Sequence, residues 1–205
     1  MRIAIIGAGN VGGTLGRRFA DAGHDVTFAV RDPSEGASAV KGGEALPAHA
    51  RVASVPDAVN GVEVVVLATP WGAERGALDG IVLVDVTNPL GANLTLDVGA
   101  GGESGAERVQ ALAPKARVVK AFNTTGFNNM ANPVYGGAPT TMFYAGDDPA
   151  AMATVRDLVT ALGFDAIDAG PLRRARELEH LAMLWIWLAY GRGMGREIAF
   201  RLERR

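Results

Sequence analysis

Three glycines near the start of the chain, Gly7, Gly9 and Gly12, stand between a short apolar run, Arg2 to Ile6, and a helical pattern, Val11 to Ala22. A run that is apolar at every alternation is a strand covered on both faces. To turn from such a strand straight into a helix, the backbone must fold sharply and the helix must lie close. Glycine is the residue that tolerates both. Gly23 stops the helix, and Asp25 to Val30 supplies the next strand. A strand, a helix and a strand in this order predict a parallel crossover unit.

The alternation continues along the chain. Short strands are predicted at Arg51 to Ser54, Val62 to Ala68, Ile81 to Val86, Arg117 to Ala121, Thr141 to Ala145 and Phe164 to Asp168. Helical patterns fall between them at Pro56 to Asn60, Trp71 to Leu78, Glu107 to Ala113 and Pro149 to Leu162, with only a weak helix within Asp32 to His49. The glycine-rich stretch Gly91 to Gly105 and the polar stretch Thr124 to Pro139 read as long loops. Pro171 opens a helix as a first-turn proline, running to about Tyr190, where Gly191, Gly193 and Gly195 break it. The end, Arg196 to Arg205, reads as a short helix or an edge strand. The fold class expected is α/β, a Rossmann-type doubly wound, mainly parallel sheet. It forms one domain over residues 1–205, with 171–205 as a C-terminal helical extension.

Sheets of this kind bind ligands beyond the carboxyl ends of their strands. The segment Gly7-Ala8-Gly9-Asn10-Val11-Gly12 is a GxGxxG in the strand-to-helix context that gives the motif meaning. Gly9 lets a pyrophosphate approach the backbone, and the free amides of the helix N-terminus receive it. These six residues are therefore candidate contacts for a nicotinamide dinucleotide. The second strand runs into Arg31-Asp32-Pro33-Ser34. Arg31 suits the 2′-phosphate of NADP, with Ser34 adding a hydroxyl, whereas Asp32 is either a ribose ligand for NAD or a turn residue. The later strand ends add Thr69, Pro70 and Trp71, then Asn88 and Pro89, then Ala121, Asn123 and Thr124 as cofactor neighbours.

Composition excludes several alternatives. The 205 residues contain no cysteine, and the three histidines, His24, His49 and His180, have no metal-ligand spacing. No metal site is expected. A formal charge of −2 gives no general attraction to nucleic acid. The positive excess from Pro171 to Arg205, eight Arg against four Glu, reads as a solvated face or as a surface toward an anionic ligand. The apolar start has a glycine fingerprint in place of a cleavage site, and Leu181 to Tyr190 is far short of the ~20 residues that span a bilayer. A cytoplasmic protein is expected, without membrane association.

Five segments carry a family resemblance: IIGAGNVGGTLGRRFADAGHDV at the start, the VRDP turn, VVVLATPW, VKAFNTTGFNNM from Val119 to Met130, and AGPLRRARELEHLAMLW from Ala169 to Trp185. On these the chain resembles the NADP oxidoreductases that use the deazaflavin coenzyme F420, and through them the reductase domain of the STEAP metalloreductases. The resemblance implies NADPH laid across the sheet, with a flavin-like ring stacked on the nicotinamide between the late loops and the C-terminal helix. It would put Ala8 to Val11 and Arg31 on NADP, and Asn123, Thr124, Phe127 and the Leu178 neighbourhood near the ring. The chain departs from the pattern at Val30, where a serine is usual, and at Asn123, where deazaflavin enzymes often carry histidine.

Dehydrogenases of alcohols need a side chain to move a proton with the hydride. Here Lys120 lies within a strand, His180 reads as a core or interface residue, and His24 as structural. A flavin-like acceptor, F420 or FMN/FAD, carries its own redox chemistry, so no catalytic side chain is expected. The other readings are an NADP-binding sensor or scaffold without turnover, and an imine or carbonyl reductase completed by a partner subunit. The helix Leu178 to Tyr190 is apolar around most of its circumference, which predicts a homodimer.

Overall fold

The computed structural model describes residues 1–43, 45–70 and 80–205. In chain order its elements are β1 (Arg2–Ile6), α1 (Asn10–Asp21), β2 (Asp25–Ala29), β3 (Ala50–Ala53), α2 (Val55–Ala58), β4 (Val64–Leu67) and β5 (Val82–Asp85). There follow α3 (Gly105–Leu112), β6 (Arg117–Lys120), α4 (Phe127–Ala131), β7 (Val134–Tyr135), β8 (Ala138–Pro139), β9 (Thr141–Gly146), α5 (Pro149–Ala161), β10 (Asp165–Asp168) and α6 (Ala175–Ile186). The helix expected at Trp71 to Leu78 lies outside the described residues.

One sheet has the order β3-β2-β1-β4-β5-β6-β9-β10, and its first six strands are parallel. This is the Rossmann order with its switch between β1 and β4. Alternate side chains feed two cores. Ile3, Ile5, Val64, Val66, Val82 and Val84 face Leu15 and Phe19 of α1, Met130 of α4 and Val155 and Leu158 of α5. Ala4, Val65, Leu67 and Leu83 face Ala58 of α2, Ala106 and Val109 of α3, and Ala175 of α6. Both faces are covered, as the unbroken apolar strands require.

The reading of Thr124 to Pro139 as one long loop is corrected: it holds α4 and the β7–β8 hairpin. This segment also reverses the next strand. A helix of five residues rises only ~7.5 Å, too little to carry the chain back to the far end of the sheet. β9 therefore enters the sheet from the end where β6 leaves it and runs antiparallel, its last residues Ala145 and Gly146 pairing with Lys120 and Val119. α5 is long enough to cross over, so β10 lies parallel to β9. The helix expected from Pro171 is divided: a 3-10 turn at Leu172–Arg174, then α6, then a π-helical turn at Trp187–Gly191.

Arg196 to Arg205 is neither helix nor edge strand; it is an irregular strap. Thr141 donates its amide to Phe200 O, Trp185 and Asn129 both donate to Ile198 O, and Arg201 caps carbonyls of Tyr135, Ala138 and Pro139. No helix among the described residues is long and apolar enough to cross a membrane.

Candidate functional site

The glycine turn separates two kinds of requirement. Gly7 has φ +100°, and a Cβ there would lie 2.5 Å from Ala68 O; a Cβ on Gly12 would lie 1.8 Å from Gly7 O. The fold itself demands both glycines. Gly9 differs, because its φ of −72° suits any residue and a Cβ would meet nothing within 4 Å. Its glycine leaves a cradle open at the start of α1. That helix has no side-chain cap and no acidic residue in its first turn, so its leading amides point outward uncompensated. Ala8 is held by its carbonyl, which accepts from Lys41 N at 2.9 Å, and Asn10 is exposed.

Arg31 follows β2 on the exposed rim and forms no ion pair among the described residues. Asp32 is a turn residue. Its Oδ1 accepts from Ser34 N at 2.9 Å and from Ser34 Oγ at 2.6 Å, and it caps the 3-10 turn Pro33–Ala39. The Ser34 hydroxyl, followed by its amide, holds the Asp32 carboxyl below the ordinary range. Ser34 therefore spends its proton on Asp32.

Beyond β4 and β5, Val11, Ala68, Thr69, Pro70, Val86, Thr87, Asn88 and Leu90 line a cavity of about 380 Å³. This brings the first turn of α1 together with two of the predicted strand ends. Trp71 lies outside the described residues. Thr69 Oγ1 is buried without a hydrogen-bond partner among the described residues. Asn88 and Asn123 form a reciprocal pair: Asn88 Nδ2 donates to Asn123 O and Asn123 Nδ2 to Asn88 Oδ1, each at 3.0 Å. Asn123 Nδ2 also donates to Leu178 O at 3.2 Å, which ties α6 to the site. Both donors of that amide are used, yet Asn123 Oδ1 is buried and has no partner among the described residues. Two orphaned polar atoms and an open glycine cradle fit a bound polar group of dinucleotide character.

The turn that delivers Asn123 is strained. Phe122 is fully buried with φ +61°, a conformation that costs a non-glycine residue about 1–3 kcal/mol. Its ring is held edge-on between Phe19 and Phe164, at 6.1 and 6.3 Å, and its amide points to Met142 Sδ at 3.2 Å. Thr124 is buried with its hydroxyl toward the same sulfur, while Ala121 and Pro89 are also buried. Those three, like Asn123, are absent from the cavity wall and lie behind it. Phe127 opens α4 beneath the Arg196 guanidinium, 5.0 Å from its ring centre.

Lys120 is no free lysine. Its Nζ lies 2.9 Å from Asp85 Oδ2 and 2.9 Å from Glu179 Oε1, and it also donates to Thr87 O. Burial presses the ammonium toward losing its proton, but the two carboxylates outweigh it and hold the group above the usual lysine range. Sequence reasoning missed this cluster. Its trace was two opposite charges at the ends of neighbouring apolar strands, and the register pairs Asp85 with Lys120. Glu179 carries no such mark on a helix full of charges. His180 is exposed, its Nδ1 2.7 Å from Arg176 O, so the core reading fails for it. His24 sits against the Phe19 ring and the chain's amino group.

Comparison with known proteins places the chain beside NADP oxidoreductases. The family model described as NADP oxidoreductase, coenzyme F420-dependent, matches residues 2–89. A crystal structure of a candidate F420-dependent NADP reductase from Arthrobacter sp. FB24 is 34% identical, covers 100% of both chains and superposes with a TM-score of 0.82. The F420-dependent NADP reductase of Methanothermobacter marburgensis is 28% identical over 91% of this chain and 91% of its own length. Metalloreductase STEAP3 of Rattus norvegicus is 29% identical over 89% of this chain, which spans only 36% of that longer protein.

Proposed function

Since the chain belongs to the family of NADP oxidoreductases dependent on coenzyme F420, we propose that it transfers hydride between NADPH and a flavin-like ring, with the deazaflavin as first candidate and FMN or FAD as alternatives. The observation that carries this reading is the chemistry of the cavity wall. Among the described residues it consists of Val, Ala, Thr, Pro, Asn and Leu, with no titratable side chain. Such a wall orients and excludes water but exchanges no proton, which suits an acceptor whose redox chemistry is its own.

The dinucleotide supplies the two-electron hydride chemistry when bound. The chain's own residues do the rest. The leading amides of α1 and the open backbone at Gly9 take the pyrophosphate. Arg31, which forms no ion pair among the described residues, takes the 2′-phosphate, since the Asp32 carboxylate is already engaged by Ser34. Thr69, on the cavity wall, offers its hydroxyl to the nicotinamide half, and Asn123 supports that wall from behind Asn88. The reciprocal Asn88–Asn123 pair fixes the side chain of Asn123.

The test is stopped-flow mixing of protein loaded with C4-deuterated NADPH against F420, FMN and FAD. The expected result is fastest loss of nicotinamide absorbance with F420 and retention of the label on the deazaflavin carbon. Oxidation by none of the three, or label lost to solvent when F420 is the acceptor, overturns the reading.

A further inference from the structure

The buried cluster of Lys120, Asp85 and Glu179 plays no part in the reaction as drawn, yet it lies directly behind the cavity wall. Lys120 is 0% exposed and Glu179 1%, and Asp85 is equally enclosed. Among the described residues, the contacts of the two carboxylates are backbone amides, the Thr87 hydroxyl and the Lys120 ammonium. Asp85 receives Thr87 N at 2.9 Å, Thr87 Oγ1 at 2.7 Å and Lys120 Nζ. Glu179 receives Gly105 N at 3.0 Å, Ala106 N at 3.4 Å and Lys120 Nζ. Backbone amides and the Lys120 ammonium, groups that can only donate, face both carboxylates, and the cluster sets two carboxylates against one ammonium. Its formal charge is −1. Thr87 joins it to the site: its carbonyl, amide and hydroxyl bind the cluster, while the residue also lines the cavity next to Asn88.

Loss of hydride, one proton with two electrons, turns a neutral dihydronicotinamide into a cationic pyridinium; the hydride goes to the flavin-like ring. Resting on the proposed function, we infer that the buried net negative charge of Asp85, Lys120 and Glu179 favours the oxidised, cationic nicotinamide over the reduced one and so biases the protein toward hydride donation from NADPH. Fixed charge in a dry interior acts with little screening and needs no reorganisation when the ring charge changes. Asp85 and Glu179 act through this field without touching the cofactor.

The experiment compares the dissociation constants of NADP⁺ and NADPH by calorimetry, without any acceptor present. The wild type is expected to bind NADP⁺ at least as tightly as NADPH. Glu179→Gln and Asp85→Asn, each nearly isosteric and each neutralising the cluster, are expected to shift the NADP⁺/NADPH affinity ratio toward NADPH by about 3- to 20-fold. Asp157→Asn, which removes an exposed carboxylate on α5, should leave the ratio unchanged. An unshifted ratio in a folded Glu179 or Asp85 variant overturns the inference, as does an equal shift in Asp157→Asn. If both cluster variants fail to fold, a clear wild-type preference for NADPH overturns it and a preference for NADP⁺ supports it. Failure of the wild type to bind either dinucleotide would instead sink the functional reading on which it rests.

Discussion

Gly9 has the most direct consequence at the scale of single residues, because the fold has no need of a glycine there. Gly9→Val should melt like the wild type and lose dinucleotide binding, since its branched side chain would fill the cradle. Unchanged NADPH affinity by calorimetry would mean that the turn holds no pyrophosphate. Arg31→Ala should weaken NADPH by about 1.5–3 kcal/mol and NADH hardly at all, the difference being a charge-assisted contact to the 2′-phosphate. Equal losses for both would remove Arg31 from that role. Lys120→Ala is expected to behave unlike an ordinary surface lysine. It leaves two buried carboxylates without their cation and should lower stability by about 3–5 kcal/mol in denaturant melts. A near-neutral effect would mean that water enters the cluster. His180→Ala, by contrast, removes an exposed ring and should leave folding and turnover almost unchanged.

Among the elements, α3 is the one whose ends are most fully specified. Ser104 and Glu107 form a reciprocal capping box, and Glu107 also takes both arms of Arg176 from α6, at 2.7 and 2.8 Å. The Arg176 hydrogen bonds, ahead of those from Ser104, hold the Glu107 carboxyl down at about 2 from its ordinary 4.5. A carboxyl lowered by folding stabilises the native state above its unfolded pKa and ceases to do so as pH falls through the folded one. The α3–α6 contact should therefore weaken as pH falls from about 4.5 toward 2. Arg176→Ala should flatten that acid limb of a stability–pH profile; an unaltered limb would place the titration elsewhere. Much of this layer was legible in the sequence. The strands of the Rossmann half announced themselves as unbroken Val, Ile and Leu runs, and proline marked the start of α5. Less legible was α4: five residues in an Asn- and Gly-rich stretch carry too little periodicity to be seen, and long-range packing against α1 decides them. The reversal of β9 follows from that same short helix. Within the site, the residues at strand ends could be named because the fold class puts ligands there. Which atoms stand unpartnered, and that Asn123 spends both its donors, depended on contacts with Asn88 and Leu178 that no local pattern encodes.

At the scale of the whole molecule, the packing of α6 decides how much apolar surface remains. Leu178, Ala182 and Trp185 are buried within the chain, while Leu184, Trp187 and Tyr190 remain 48%, 54% and 58% exposed. This outward set supports the proposal of a homodimer formed through the C-terminal helix. Light scattering at micromolar concentration should report twice the 21.3 kDa of one chain, and Trp187→Glu should return it to the monomer. A wild-type monomer would leave that surface to solvent.

The reversed strand has one more consequence. Only two residue pairs, Val119 with Gly146 and Lys120 with Ala145, join β9 to β6, whereas β1 and β2 share five. Side chains across that boundary, Phe122 against Phe164 above all, carry the cohesion that the backbone ladder lacks. The chain should therefore open in two cooperative steps under native conditions, with amides of β9, α5 and β10 exchanging with solvent deuterium together and before those of β1, β4 and β5. Phe164→Leu should widen the interval between the two steps by loosening the boundary and leaving each side intact. One common exchange rate across the sheet would show instead that packing alone makes the boundary as firm as a full ladder.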